Sequence, residues 1–286
     1  MTISPDAQGW YALERDIELC AVEQLRQAGP IAQLSVSKVP LVTVKLAKRL
    51  VELPVDRLWL WSKVTRRAMR QIIQIPGLRV LDVFSMTGPS SLRYFAKAQS
   101  LEEFRANLYL TREDLLEVAH CPTLKEISAQ GSELTPDALA AILALPQLTR
   151  LDIEATRFDD RMAKRLSSSR TIETLDIGGT PVTGIGLEYL LRMEQLRSLD
   201  LWATHITEAD LPRLQDLPNL EYLSLGNYDQ HVQLDADAVC QLVLQLPSIK
   251  RVWLDGIVLN TTQKAALEQK LESLRVTSLP DFSFDS

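Results

Sequence analysis

An aliphatic residue, two variable residues, an aliphatic, one variable residue and a further aliphatic form a phrase that returns through nearly the whole 286-residue chain. It starts at Ile31, Val55, Leu78, Leu101, Leu124, Leu148, Ile172, Leu196, Leu220, Ile249 and Leu271, in steps of 22 to 24 residues except the step from Leu220 to Ile249. The first, fourth and sixth positions are apolar in every phrase, as in Leu148, Leu151 and Ile153. Alternation across the fourth to sixth positions is the period of a short strand, so each phrase predicts one strand. Apolar residues at helical spacing follow, such as Leu139, Ile142 and Leu145, or Leu211, Leu214 and Leu217. A proline often closes the run, as at Pro146 and Pro218, which predicts a helix after each strand. One such unit cannot bury its own apolar face. Neighbours must therefore stack, giving a curved parallel sheet with its strands on the inner, concave side and helices on the outer, convex side.

The ends read as caps. Over residues 5–28, Trp10, Leu13, Ile17, Ala21 and Leu25 fall at helical spacing, which predicts a helical cap over residues 1–30 with Trp10 packed inside it. The repeats run from 31 to 279, about eleven of them, and residues 280–286 form a C-terminal tail. The unbroken repeat argues for one domain where length alone would allow two.

Within each phrase the third, fifth and seventh positions point to the hollow of the stack, free of the demands of the core. They hold Trp59, Trp61, Trp202 and Trp253, four of the five tryptophans in the chain, where chance would place fewer than one. Phe84 and Tyr222 occupy the same kind of position. Large aromatic side chains are costly to leave on a solvent-facing sheet and dominate binding hot spots. Trp59 and Trp61 lie on one strand with Phe84 on the next, forming one predicted patch; Trp202, Tyr222 and Trp253 fall on consecutive strands and form a second. Six strand steps separate Trp61 from Trp202, roughly 30 Å before curvature, a span that suits a protein partner better than a small molecule.

Between the patches runs a predicted acidic strip. Asp152, Asp176 and Asp200 take the fifth position of three successive phrases, with Glu154 and Glu126 beside them and Arg150 as counter-charge. Like charges one strand apart repel by about 1 kcal/mol when solvated and more when desolvated, so a cationic partner would relieve the arrangement. The net charge of −6 adds to such steering and argues against nucleic acid as a partner. Elsewhere the inner face is mixed, with Arg57, Arg105, Arg251 and Arg275 offsetting Asp82, Glu103 and Asp255. The long step after Leu220 falls in GNYDQHVQLDAD, an insertion expected to bulge over the binding face and bring Tyr228 to the second patch.

Catalytic machinery is absent from the pattern. His120, His205 and His231 are the only histidines, none beside a nucleophile or in a ligand spacing, and there is no triad, zinc motif or phosphate loop. No catalytic residue, metal ligand or cofactor is therefore expected. Thr156, Thr180 and Thr204 recur at the ninth position of their phrases, where a hydroxyl is expected to satisfy backbone groups at the turn. Three scattered cysteines suggest a reducing compartment, no apolar run reaches the roughly 18 residues of a membrane span, and the first residues lack a secretion signal. The expected location is the cytoplasm, although a chain delivered into another cell by a dedicated machine would read the same.

The stretches LTRLDIEATRF, IETLDIGGTPVTGIGLEYL and LRSLDLWATHITEADLPRLQDLPNLEYLSL resemble the leucine-rich repeats of the ribonuclease-inhibitor-like superfamily, in the shorter form common in bacterial proteins. The resemblance spans about residues 31–279 and implies a leucine-rich-repeat solenoid shaped as a curved horseshoe. It also implies a non-enzymatic scaffold: the ribonuclease inhibitor grips basic enzymes with acidic and tryptophan-bearing inner strands. An inhibitor or immunity protein that neutralises a basic toxin or enzyme is the concrete reading. The alternatives are a bacterial effector or adaptor that recognises a host protein or a ubiquitination substrate, and an enzyme.

Overall fold

The computed structural model describes residues 5–14, 19–27, 29–87, 95–106, 109–226 and 234–277. The chain forms two compact units, Met1–Thr149 and Arg150–Ser286. The first carries β1 (Trp10–Glu14), α1 (Leu19–Gln27), β2 (Ile31–Ser37), α2 (Val44–Leu50), β3 (Val55–Thr65), α3 (Arg66–Ile72) and β4 (Val80–Thr87). A 3-10 turn (Phe95–Lys97), β5 (Glu103–Ala106), α4 (Arg112–Val118), β6 (Glu126–Ala129) and α5 (Pro136–Leu143) complete it. The second carries β7 (Arg150–Asp152), α6 (Asp160–Leu166), β8 (Thr174–Asp176), α7 (Gly184–Leu190), β9 (Ser198–Asp200) and a 3-10 helix (Glu208–Asp216). It continues through β10 (Tyr222–Gly226), α8 (Ala236–Gln245), β11 (Arg251–Asp255), α9 (Thr261–Lys270) and β12 (Ser273–Thr277). Within each unit the strands pair in parallel in chain order, β1 to β6 and β7 to β12.

The predicted alternation is the observed one. From β2 to β11 the fourth and sixth positions of every phrase are at most 2% exposed, from Leu34 and Val36 to Val252 and Leu254. The residues between them are left on the opposite, open face, because successive side chains of a strand point to opposite sides. Helix starts are set by short polar caps. Thr43, Thr65, Thr111, Thr135, Asp159, Thr183, Asp235 and Asn260 each accept a backbone N–H of the first helical turn through a side-chain oxygen. In the repeat around Leu211 and Leu214 the helix is of the 3-10 type. Pro212 sits inside it and lacks the N–H that an α-helical ladder would require.

Of the N-terminal helix predicted over residues 5–28, the described residues show α1, whereas Trp10–Glu14 is a strand instead. β1 pairs in register with β2, Trp10 opposite Gln33 and Leu13 opposite Val36, so Leu13 takes the buried sixth position of a repeat. Packing against a neighbouring strand outweighs the helical spacing of these few residues. The ninth-position hydroxyls behave as expected: Thr156, Thr180 and Thr204 are buried and donate to the carbonyls of Ile153, Ile177 and Leu201 at 2.7, 2.6 and 2.8 Å. Arg66, at the start of α3, forms a two-pronged ion pair with the fully buried Asp114 of α4, at 3.0 and 2.6 Å. Among the described residues no helix is long and apolar enough to cross a membrane.

Candidate binding face

On the open face of the first unit the rings form a row of four. β2 presents Gln33, Ser35 and Ser37 beside β3, and across its small serines Trp10 reaches Trp59, with ring centroids 4.1 Å apart. Trp59 meets Trp61 edge-on at 6.1 Å, and Trp61 meets Phe84 at 6.2 Å. A bulge in β3 creates the last contact. The register shifts between Leu60 and Lys63, so Trp61 and Ser62 together stand opposite Phe84. Ser62 turns inward and accepts the Val39 N–H at 3.2 Å, while Trp61 and Phe84 remain 49% and 39% exposed. Sequence reasoning brought Trp59, Trp61 and Phe84 together correctly but left Trp10 in a cap. The signal it passed over is that Trp10 lies one repeat step before Gln33. Arg105 binds Glu126 at 2.7 Å and Glu103 at 2.8 Å, which takes Glu126 out of the acidic strip.

In the second unit the parallel register aligns Asp152, Asp176, Asp200, Ser224, Trp253 and Arg275 in one line across six strands. Each aspartate is tied to its own turn. Oδ1 of Asp152, Asp176 and Asp200 accepts the backbone N–H two residues on, from Glu154, Gly178 and Trp202, at 3.1, 3.0 and 2.8 Å. The other oxygen of each carboxylate is not used in this turn. Burial, followed by the charges of Asp200 and Asp152, pushes the Asp176 carboxyl up to about 8. Asp200 is also held above the usual carboxylate range by burial, against hydrogen bonds from the Trp202 N–H and the Ser224 hydroxyl. Glu154 is raised by burial and by Asp152 and Asp200.

Trp202 and Trp253 line one depression of this face, and Tyr222 and Trp253 line a second. Trp253 carries the Arg275 guanidinium over its ring at 4.0 Å, and Tyr222 lies under Arg251 at 5.8 Å. The Trp253 Nε1 donates to Asp255 at 2.9 Å, and burial pushes the Tyr222 hydroxyl up to about 12. Gly226, at the seventh position of the phrase after that of Trp202, has a backbone reason: a Cβ there would stand 1.9 Å from the Asp255 carbonyl oxygen, and its φ is +124°. Of the two depressions, one, of 270 Å³, is lined by Glu154, Asp176, Gly178, Asp200, Trp202, Ser224, Trp253 and Asp255. The other, of 320 Å³, shares Asp176, Asp200 and Trp253 with it and is lined as well by Arg150, Asp152, Tyr222 and Arg251. Every predicted site residue of the second unit lines one of the two except Tyr228, which lies outside the described residues. Ser224 escaped sequence reasoning, since a serine at an inner position carries no signal until register sets it between Asp200 and Trp253.

Asp152, Glu154 and Asp176 bring one oxygen each within 4.8 Å of the others, close enough to share a cation. A calcium ion takes six to eight oxygen ligands, and Oδ1 of both aspartates is already engaged by backbone N–H groups, so the donor set falls short of that coordination.

No protein-family model matches the chain, and no curated protein does. Among solved structures, an internalin (inlF) from Listeria monocytogenes is similar with a TM-score of 0.57 and 16% sequence identity, over 96% of this chain and 84% of that one. The likeness is one of fold: parallel strands alternating with helices in a leucine-rich-repeat solenoid.

Proposed function

We propose that the chain is a non-enzymatic scaffold that captures a basic protein on the open face of its sheet, in the manner of an inhibitor or immunity protein that neutralises a toxin or enzyme. The observation that carries this reading is the line Asp152, Asp176 and Asp200. Three carboxylates are held on adjacent strands, two of them against their own ionisation, beside the indoles of Trp202 and Trp253. A fold under no other constraint would avoid this cost, and a cationic surface removes it. The ring row of Trp10, Trp59, Trp61 and Phe84 gives the first unit an apolar contact area of its own. An effector or adaptor would use the same face and differ in the origin of its partner.

The test is capture of partners by the full chain from its own organism, alongside Trp59→Ala and Asp200→Asn variants. One dominant basic protein, released by added salt and weakened at least tenfold by either substitution, is the expected outcome. Recovery of acidic partners, or of a partner indifferent to both substitutions, would refute it.

A further inference from the structure

The 270 Å³ depression of the second unit is smaller than the roughly 300–1,000 Å³ of ordinary small-molecule sites, and its size suits one side chain. Its lining is chemically one-sided. Glu154, Asp176, Asp200 and Asp255 contribute carboxylates, Trp202 and Trp253 contribute rings, and no basic residue lines it among the described residues. The Trp202 Nε1 is buried, and that of Trp253 donates to Asp255. What remains for an occupant is ring surface and carboxylate oxygen.

The same face already shows which cation these surfaces accept. Arg275 lies over Trp253 and Arg251 over Tyr222, so the chain pairs guanidinium groups with its own rings on two neighbouring strands. A guanidinium is planar, stacks on aromatic faces and sheds water more readily than an ammonium, while its N–H groups can reach carboxylates on adjacent strands. Carboxylates on adjacent strands stand roughly 4.8 Å apart, a spacing that one guanidinium can span edge-on.

We propose that this depression, walled by Trp202 and Trp253 and floored by Asp176 and Asp200, is the receptor for a single arginine side chain presented by the partner. The proposal rests on the protein-capture reading and adds to it the residue that the partner must insert. A consequence follows for protons. Asp176 is faced by Asp152 and Glu154 on one side and by Asp200 on the other, with Tyr222, Arg150 and Arg251 across the adjoining depression. Seating a permanent cation favours the ionised carboxyl, so binding releases a proton and tightens as pH rises toward 8, levelling off above it.

The experiment titrates the full chain with N-acetylarginine amide and with its neutral isostere N-acetylcitrulline amide, following the indole N–H resonances of the tryptophans by NMR. The arginine compound should shift the Trp202 and Trp253 resonances saturably, bind about tenfold more tightly at pH 9 than at pH 6, and lose about tenfold on Asp200→Asn. The citrulline compound should leave these resonances in place. Equal responses to the two compounds, no saturable shift at Trp202 and Trp253, or an affinity independent of pH would overturn the proposal. Asp200→Asn keeps an Oδ1 for the Trp202 N–H, so unchanged resonances elsewhere confirm that the variant is folded. Loss of the arginine response while a basic protein is still captured would sink this pocket and leave the protein-capture reading standing.

Discussion

Replacing Asp176 with asparagine should make the protein more stable, and by an amount that depends on pH in a prescribed way. The native carboxyl titrates at about 8, whereas in the unfolded chain it titrates near 3.9. Below about pH 4 both states hold the proton and the group contributes nothing. Between about pH 4 and 8 the unfolded state releases its proton while the native state keeps it, so native stability falls by up to about 1.4 kcal/mol per pH unit and levels off above 8. The ceiling is thus about 5 to 6 kcal/mol. Relaxation of the site and the titration shared with Asp200 reduce the expected net effect to about 3 kcal/mol. An asparagine resembles the protonated carboxyl and keeps the Oδ1 that accepts the Gly178 N–H. Urea unfolding of both proteins at pH 4, 7 and 9, with coincident fluorescence and circular dichroism transitions, reads the difference directly. The curves should coincide within about 0.5 kcal/mol at pH 4 and separate by about 3 kcal/mol at pH 9. Parallel curves across this range would refute the claim that burial and the flanking carboxylates oppose ionisation at this position.

Gly226→Ala should destabilise by more than about 3 kcal/mol in the same assay, because its φ of +124° and the 1.9 Å approach of the Asp255 oxygen leave no room for a Cβ. Asp114→Ala should lose about 3 kcal/mol by stripping Arg66 of its carboxylate partner and the Thr111 N–H of its acceptor, and the paired Arg66→Met, Asp114→Leu variant should recover most of that loss in a denaturation experiment. Thr180→Val should cost about 1 kcal/mol, read as a lower urea midpoint, since the Ile177 carbonyl loses its hydroxyl donor in a buried turn.

What made the repeats readable is that each strand must bury two apolar side chains at fixed spacing, so the core constraint is printed in every phrase from Ile31 to Leu271. The earliest repeat escaped because its phrase is degenerate: Gln8 stands where an aliphatic residue is expected and Tyr11 takes the fourth position, opposite Leu34. The choice of aromatic positions on the open face could be foreseen, but not what covers them. Whether Trp253 meets another ring or the Arg275 guanidinium depends on side-chain placement across strands, which alternation does not encode. The acidic line was visible as charge alone. That each aspartate also closes its own turn emerges only from the geometry of Oδ1 and the N–H two residues later.

This double employment makes the electrostatics of the second unit adjustable without structural risk. Asparagine preserves the turn-closing acceptor and removes the ionisable carboxyl, so a single-nucleotide change between Asp and Asn codons at positions 152, 176 or 200 alters the charge that the face can develop while keeping the acceptor that closes the turn. A lineage confronted with a partner of altered charge could retune its grip at three neighbouring positions, each change also shifting the ionisation of the carboxyls beside it.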